Sequence, residues 1–532
     1  MTHLDARVRR ADLRPGAEVT LVVDAPTSGT ATLVVTHLGE QVREVTAALG
    51  VGRQPVALGA FPEGGYAVTV GLAGQEATTA FDVLADRNAR PRYGFVADFG
   101  AGRADAAAVA ESLAAFSITH VQFYDWMYRH AELLPPEDDF VDALGRPLSL
   151  RTVRALLDAV HDVGAQALAY AAVYGAGRDY VADHPDEVLH RRGGEPWTLG
   201  GFLWVMDVSR GSTWVRHLVE QVRDACATMG FDGLHLDQYG DPKLAVTTAG
   251  AVVDLAEELP ALIDAVRDAL PGATLIFNNV NDFPTRTTAR ARQDATYVEV
   301  WPPHVEHADL VDLVRAARDV APGRAPILAA YLEPLGSGSG ERELAAAKLA
   351  LSTVWAAGGQ YLLFGERHGA LVDPYYPNFA TLDDEAVRTL RAFTDFSVAN
   401  GDLLFDPGLR ETTGSLALGA NEDVVVAGAP VSTRPEAGAV WVRTSEAGRR
   451  LVVQLVDYRA QEDGRWNAPR MPTGTVSGVT VRVRVASAAA SAVFGHPLGG
   501  PHLTPLELRD EGDYVTALLP DFDTWGTLSI LR

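Results

Sequence analysis

Between residues 93 and about 402 the chain alternates short apolar runs with segments of helical period, and no other feature restricts its fold as much. The candidate strands are "YGFVAD", "ITHVQFYD", "QALAYAAV", "FDGLHLD", "ATLIFNN", "TYVEVW", "PILAAYLE" and "QYLLFGE", about eight in all. Between them lie amphipathic stretches such as "STWVRHLVEQVRDACATMG". Its Trp214, Val215, Leu218, Val219, Val222, Cys226 and Met229 share one face, with Ser212 as N-cap and Gly230 as the stop. In "SLRTVRALLDAVHDVG", Ser149 and Gly164 do the same. Eight strand–helix units in roughly 300 residues is the count of a (β/α)8 barrel. A doubly wound open sheet is the alternative, but no Gly-rich phosphate loop follows the first strand.

The flanks have a different texture. Residues 1–88 hold β-type runs ("AEVTLVVDAP", "TATLVVTHL", "GGYAVTVGL") between Gly- and Pro-containing turns, and "LADRNARPR" reads as a linker. After about residue 403 the helical period stops, and runs such as "GAVWVRTS", "RRLVVQLVDY", "GVTVRVRVA" and "DYVTALLP" take over. The expected organisation is a β-sandwich over 1–88, a (β/α)8 barrel over 89–402 and a second β-sandwich over 403–532.

A formal net charge of −24 argues against nucleic acid and anionic membranes, and favours a neutral substrate. Cys226, the one cysteine, forms no intramolecular disulfide and reads as a core thiol. No apolar run is long enough to span a membrane, and "MTHLDARVRRADLRPG" lacks the apolar centre of a signal peptide. The expectation is a cytoplasmic protein, extracellular if an export signal preceded this chain. Oligomeric state is open.

In a barrel the active site gathers at the C-terminal strand ends. Those ends offer Asp98, Asp125, Tyr170, Asp237, Asn278, Asn279, Glu299, Tyr331, Glu333 and Glu366. In "FDGLHLDQYG", Gly233, His235 and Asp237 share one pleat face and Leu234 and Leu236 the other. With the leucines against the helices, His235 and Asp237 point inward. Tyr297, Glu299 and Trp301 likewise share a face of "TYVEVWP". Two carboxyls across a barrel mouth, with aromatic surface around them, are the parts of a glycosidase. A lone strand-end acid is more often an ion-pair partner, and His235 more often orients a neighbour than moves a proton. Trp126, Trp197, Trp204, Trp301, Tyr375 and Tyr376 fall in or near strand-end loops, where flat rings suit sugar faces. Neither HExxH nor an EF-hand loop occurs, so no metal ligand set is assigned; a structural calcium remains compatible.

Four segments carry a resemblance: "VQFYDWMYRHAELLP" (121–135), "GFDGLHLDQYG" (230–240), "YVEVWP" (297–302) and "DPYYPNF" (373–379). In this order they resemble the signature blocks of glycoside hydrolase family 66, the endo-dextranases and cycloisomaltooligosaccharide glucanotransferases. The resemblance covers nearly the whole chain and implies an N-terminal immunoglobulin-like and a C-terminal Greek-key domain. It further implies retaining double displacement on α-1,6-glucan, with Asp237 as nucleophile and Glu299 as acid/base, and no cofactor. Tyr124, Asp125, Trp126, His130, His235, Tyr239, Trp301 and Asp373 would be subsite residues. The strand-end and loop residues Asp98, Tyr170, Asn279, Glu366, Tyr375 and Tyr376 complete the substrate-binding set.

Two departures bear on the substrate. Dextranases are usually exported, which brings imported isomalto-oligosaccharides forward beside dextran. The cyclising members carry an inserted carbohydrate-binding module, and the long segment between residues 172 and 212 is too short for one, so hydrolysis is favoured. The alternatives are glycosyl transfer or cyclisation, another α-glucan, a non-catalytic sugar-binding protein and, more weakly, a metal-dependent hydrolase.

Overall fold

The computed structural model describes residues 3–416, 423–486 and 491–532. Its centre is an eight-stranded parallel sheet curled into a nearly closed barrel. The strands are β1 (Tyr93–Val96), β2 (His120–Phe123), β3 (Gln166–Ala172), β4 (Gly233–Asp237), β5 (Thr274–Val280), β6 (Ala295–Glu299), β7 (Ala325–Ala329) and β8 (Gln360–Tyr361). They neighbour one another in chain order, and each overlaps one of the eight apolar runs of the sequence, passing its ends by at most a residue. Alternation along the strands divides two cores. Leu234, Leu236, Val298 and Leu328 join the layer under the helices, whereas Leu168, Ile276, Tyr297 and Ile327 fill the barrel interior.

The close approach of β4 to β5 explains one glycine of the "DG" block. A Cβ on Gly233 would lie 2.0 Å from the Thr274 carbonyl oxygen, so no other residue fits there. Closure between β8 and β1 takes a different form, because β8 pairs over two residues only. A backbone bridge joins Phe95 to Gly365. The Glu366 carboxylate then accepts the N–H groups of Ala97 at 2.7 Å and Asp98 at 2.9 Å, in place of a further rung of ladder.

Two antiparallel sheets precede the barrel. One holds Asp5–Val8, Glu18–Ala25 and Gly52–Ala60; the other holds Gly29–His37, Glu40–Leu49, Gly64–Leu72 and Gln75–Val83. Their buried residues, among them Leu21, Val23, Leu33, Val68 and Phe81, form one apolar cluster. After the barrel, a seven-stranded and a four-stranded sheet share a second such cluster, with Val442, Val453 and Leu528 from one and Val426, Val481 and Ala517 from the other. A single-turn helix, Thr413–Leu416, interrupts the β-texture of this region.

The segment expected to be a linker is instead anchored. Buried Arg92 donates to Asp82 at 2.7 Å and to the carbonyls of Ser117 and Ala11. Asp402, just after the last long barrel helix (Asp384–Ala399), accepts from Arg90 at 2.5 Å and from the Gly65 N–H at 3.0 Å.

Candidate active site

The C-terminal ends of the strands surround a cleft of about 330 Å³ that contains both Asp237 and Glu299. Asp237 ends β4 and Glu299 ends β6, so β5 runs between them, and its inward residue at this level is Asn278. The Asn278 amide nitrogen donates to Asp237 Oδ1 at 2.7 Å and to Glu299 Oε2 at 3.0 Å. Those two legs laid end to end bound the separation of the oxygens at 5.7 Å. With the roughly 120° between the two N–H bonds of an amide, it is about 5 Å. Each acid also has a phenol of its own: Tyr170 donates to Asp237 Oδ2 at 2.7 Å and Tyr331 to Glu299 Oε1 at 2.6 Å.

Asp237 is only 9% exposed. Burial, and then the charge of Glu299, push its carboxyl up to about 7, while the donors Tyr170, Asn278 and the Gln238 N–H pull it down. A buried carboxyl this close to a second acid ionises less readily. That shift favours a proton on Asp237. A positive charge developing beside Asp237 would reverse the preference.

Beneath the acids the barrel is plugged by neutral rings. His235 stacks with Tyr170 and Tyr93, and its Nδ1 lies 2.8 Å from the Tyr93 hydroxyl. Burial takes its imidazole down to about 3, so it is uncharged and holds its neighbours in place. Burial raises the pKa of Tyr93, Tyr170, Tyr297 and Tyr331, which therefore remain neutral donors. The walls are aromatic: Tyr124 stacks on Tyr376 at 4.2 Å with Tyr375 beside it, and Trp301 meets Tyr331 edge-on.

Of the residues singled out in the sequence, Tyr124, Tyr170, His235, Asp237, Tyr239, Glu299, Trp301, Tyr375 and Tyr376 line this cleft. Others lie elsewhere. Trp126 is fully buried against Phe231, with its indole N–H on the Tyr170 carbonyl. Asn279, one residue from Asn278, faces outward and is fixed by Tyr297 O and Thr288. Glu366 closes the barrel, and Asp98 is paired with Arg103 and Arg367. Asp125 and His130 flank a separate small cavity, with Asp125 3.6 Å from Arg146, and Asp373 caps the Tyr375 N–H. Neither Trp197 nor Trp204 lines the cleft: Trp204 belongs to a small three-stranded sheet, and Trp197, just before another strand of that sheet, lies under the Arg191 guanidinium at 3.4 Å. Gln122, Asn278, Tyr297, Tyr331 and Pro374 line the cleft without having been assigned to substrate. Asn278 and Tyr331 stood among the strand-end residues, and Tyr297 shares the pleat face of Glu299.

A larger cavity, about 620 Å³, opens where Ala325 and Gln360 begin their strands, at the opposite end of the barrel. Its Glu411 is committed to Arg315 and Arg443, so it offers no free acid pair.

The sequence profile described as Glycosyl hydrolase family 66 matches residues 9–528. The chain belongs to glycosyl hydrolase family 66. Among family 66 relatives, a cycloisomaltooligosaccharide glucanotransferase of Niallia circulans is 28% identical over 307 residues, 52% of this chain and 32% of that protein. A dextranase of Streptococcus salivarius is 25% identical over 393 residues, 61% of this chain and 47% of that protein. The matches thus span 32% to 47% of these relatives' own length. The crystal structure of a Paenibacillus sp. cycloisomaltooligosaccharide glucanotransferase complexed with cycloisomaltoheptaose superposes with a TM-score of 0.89 at 19% identity, covering 98% of this chain and 99% of that one.

Proposed function

We propose that the protein hydrolyses α-1,6-glucosidic bonds of isomalto-oligosaccharides or dextran with retention of configuration. The observation that carries this reading is the Asp237–Glu299 separation, no more than 5.7 Å between the nearest bridged oxygens. Retaining enzymes hold their carboxyls about 5–5.5 Å apart, whereas inversion needs roughly 6.5–9.5 Å to admit a water. Asp237 attacks the anomeric carbon as Glu299 protonates the leaving oxygen; Glu299 then takes a proton from the incoming water, which displaces Asp237. Aromatic walls suit the apolar faces of neutral sugars. We read the paired flanking sheets as β-sandwiches that brace the barrel. No cofactor or metal takes part in this scheme, so activity is expected to survive dialysis against chelator. A cytoplasmic setting would supply imported oligosaccharides as substrate.

The test is a product time course on isomalto-oligosaccharides, dextran and pullulan, with the anomer followed by NMR in the first minutes. The α-anomer is expected first from the 1,6-linked substrates; the β-anomer first would reject retention. Asp237→Asn and Glu299→Gln are each expected to lower turnover by about 10³-fold or more with the fold intact. Near-normal activity in either rejects the pair. The glucanotransferase relatives favour a second reading, the same pair delivering the glucosyl group to a sugar hydroxyl. Products longer than the substrate, or cyclic ones, would identify it.

A further inference from the structure

We propose that Asn278 is a positioning residue: its single amide nitrogen fixes the spacing of Asp237 and Glu299 and follows the one negative charge as it changes ends during double displacement. The inference rests on the function proposed above and names the side chain that controls the pair. Two observations carry it. The first is the bridge itself, one nitrogen at 2.7 and 3.0 Å from the two carboxylates. The second is that Asn278 Oδ1 is buried with no hydrogen-bond partner among the described residues. The amide keeps this orientation although its own acceptor goes unmet; turned over, it would set Oδ1 against two acceptor oxygens.

The residue type matters. A serine or threonine hydroxyl donates once. Lysine or arginine would donate twice but add a positive charge that drives both acids to ionise. Asparagine donates twice and stays neutral. In the first step an Asp237 oxygen bonds to C1, the glycosidic C1–O bond breaks, and the Glu299 proton goes to the leaving oxygen. In the second, water oxygen bonds to C1, its proton passes to Glu299, and the C1–Asp237 bond breaks. The pair carries one negative charge before, between and after these steps, with a ready donor at either end.

The groups facing the pair are Tyr170 from β3, Tyr239 after β4, Tyr331 after β7, Tyr376 from the loop after β8, and His235 below. All are neutral at working pH, and none of the described residues lining the cleft is lysine or arginine.

The experiment compares wild type, Asn278→Ala and the isosteric Asn278→Asp, after circular dichroism and melting have established their folds. In Asn278→Ala, kcat/KM is expected to fall by about 10²-fold or more, and both limbs of its pH profile to move up by about one pH unit, because each ionised form loses a donor. Asn278→Asp, with a third carboxyl, should move them further. Infrared titration of the protonated carboxyl band without substrate should show the same displacement. Limbs and band unmoved would overturn the proposal whatever the loss of rate, since a merely structural role lowers rate without moving them. If wild type cleaves no α-glucan, the proposed function fails, while the infrared titration still decides whether the amide controls the pair.

Discussion

Asp237 occupies a position where ionisation opposes folding, and this has a measurable sign. Its folded carboxyl is pushed up to about 7 by burial and Glu299, against about 4 for an unfolded aspartate. The folded state therefore holds the proton more tightly, and stability falls as pH rises from about 4 to about 7, then levels. An amide in place of this carboxyl could not titrate, so the melting temperature of Asp237→Asn minus that of wild type should be larger at pH 8 than at pH 5, by a few degrees. A difference independent of pH would show that the carboxyl is not perturbed. The same scale shows how far the sequence could be read. Period-two alternation located Asp237 and Glu299 because leucines or valines stood on the opposite face of each strand. In "IFNNV" the flanking Ile276 and Phe277 are both apolar, so the pattern does not tell which asparagine faces inward. Register with β4 and β6 decides for Asn278, and Asn279 turns out to be held by backbone and Thr288.

Among the elements, the weakest seam is β8 against β1. A two-residue strand supplies little ladder, and the Glu366 carboxylate takes two N–H groups that would otherwise be orphaned. Glu366→Ala is expected to destabilise the barrel by about 2–4 kcal/mol, read as a lowered denaturant midpoint; an unchanged midpoint would show that the seam holds without it. The sequence could reveal β8 as an apolar run, but it could not reveal that the acid after it mends a closure. A buried acid at a strand end looks alike whether it meets substrate or backbone N–H. Trp126 illustrates the same limit: an aromatic after β2 reads as a sugar platform until the packing of Phe231 shows it to be core.

For the whole molecule, the N-terminal sheets and the barrel share ionic and backbone contacts where a loose tether was expected. Asp402 receives both Arg90 and the Gly65 N–H, and a Cβ on Gly65 would lie 2.4 Å from the Ala399 carbonyl, so the surfaces meet closely. They should unfold together. Calorimetry of wild type is expected to give one transition for both units, and Asp402→Ala to separate an earlier one for the N-terminal sheets; unchanged traces would refute the coupling. The three-region texture was legible because helical period begins and ends abruptly. The anchoring was not, because Arg90 and Arg92 look like linker charges until their partners, 312 and 10 residues distant, are known.

Each acid of the pair keeps one phenol to itself and shares the amide, so the two ends are dressed nearly alike. On the proposed chemistry, nothing in that dressing distinguishes a water molecule from a sugar hydroxyl as the group that releases the enzyme-bound sugar. The choice between shortening a chain and rejoining it then belongs to the loops on the acceptor side. A scaffold of this kind can move from one outcome to the other with its acids untouched.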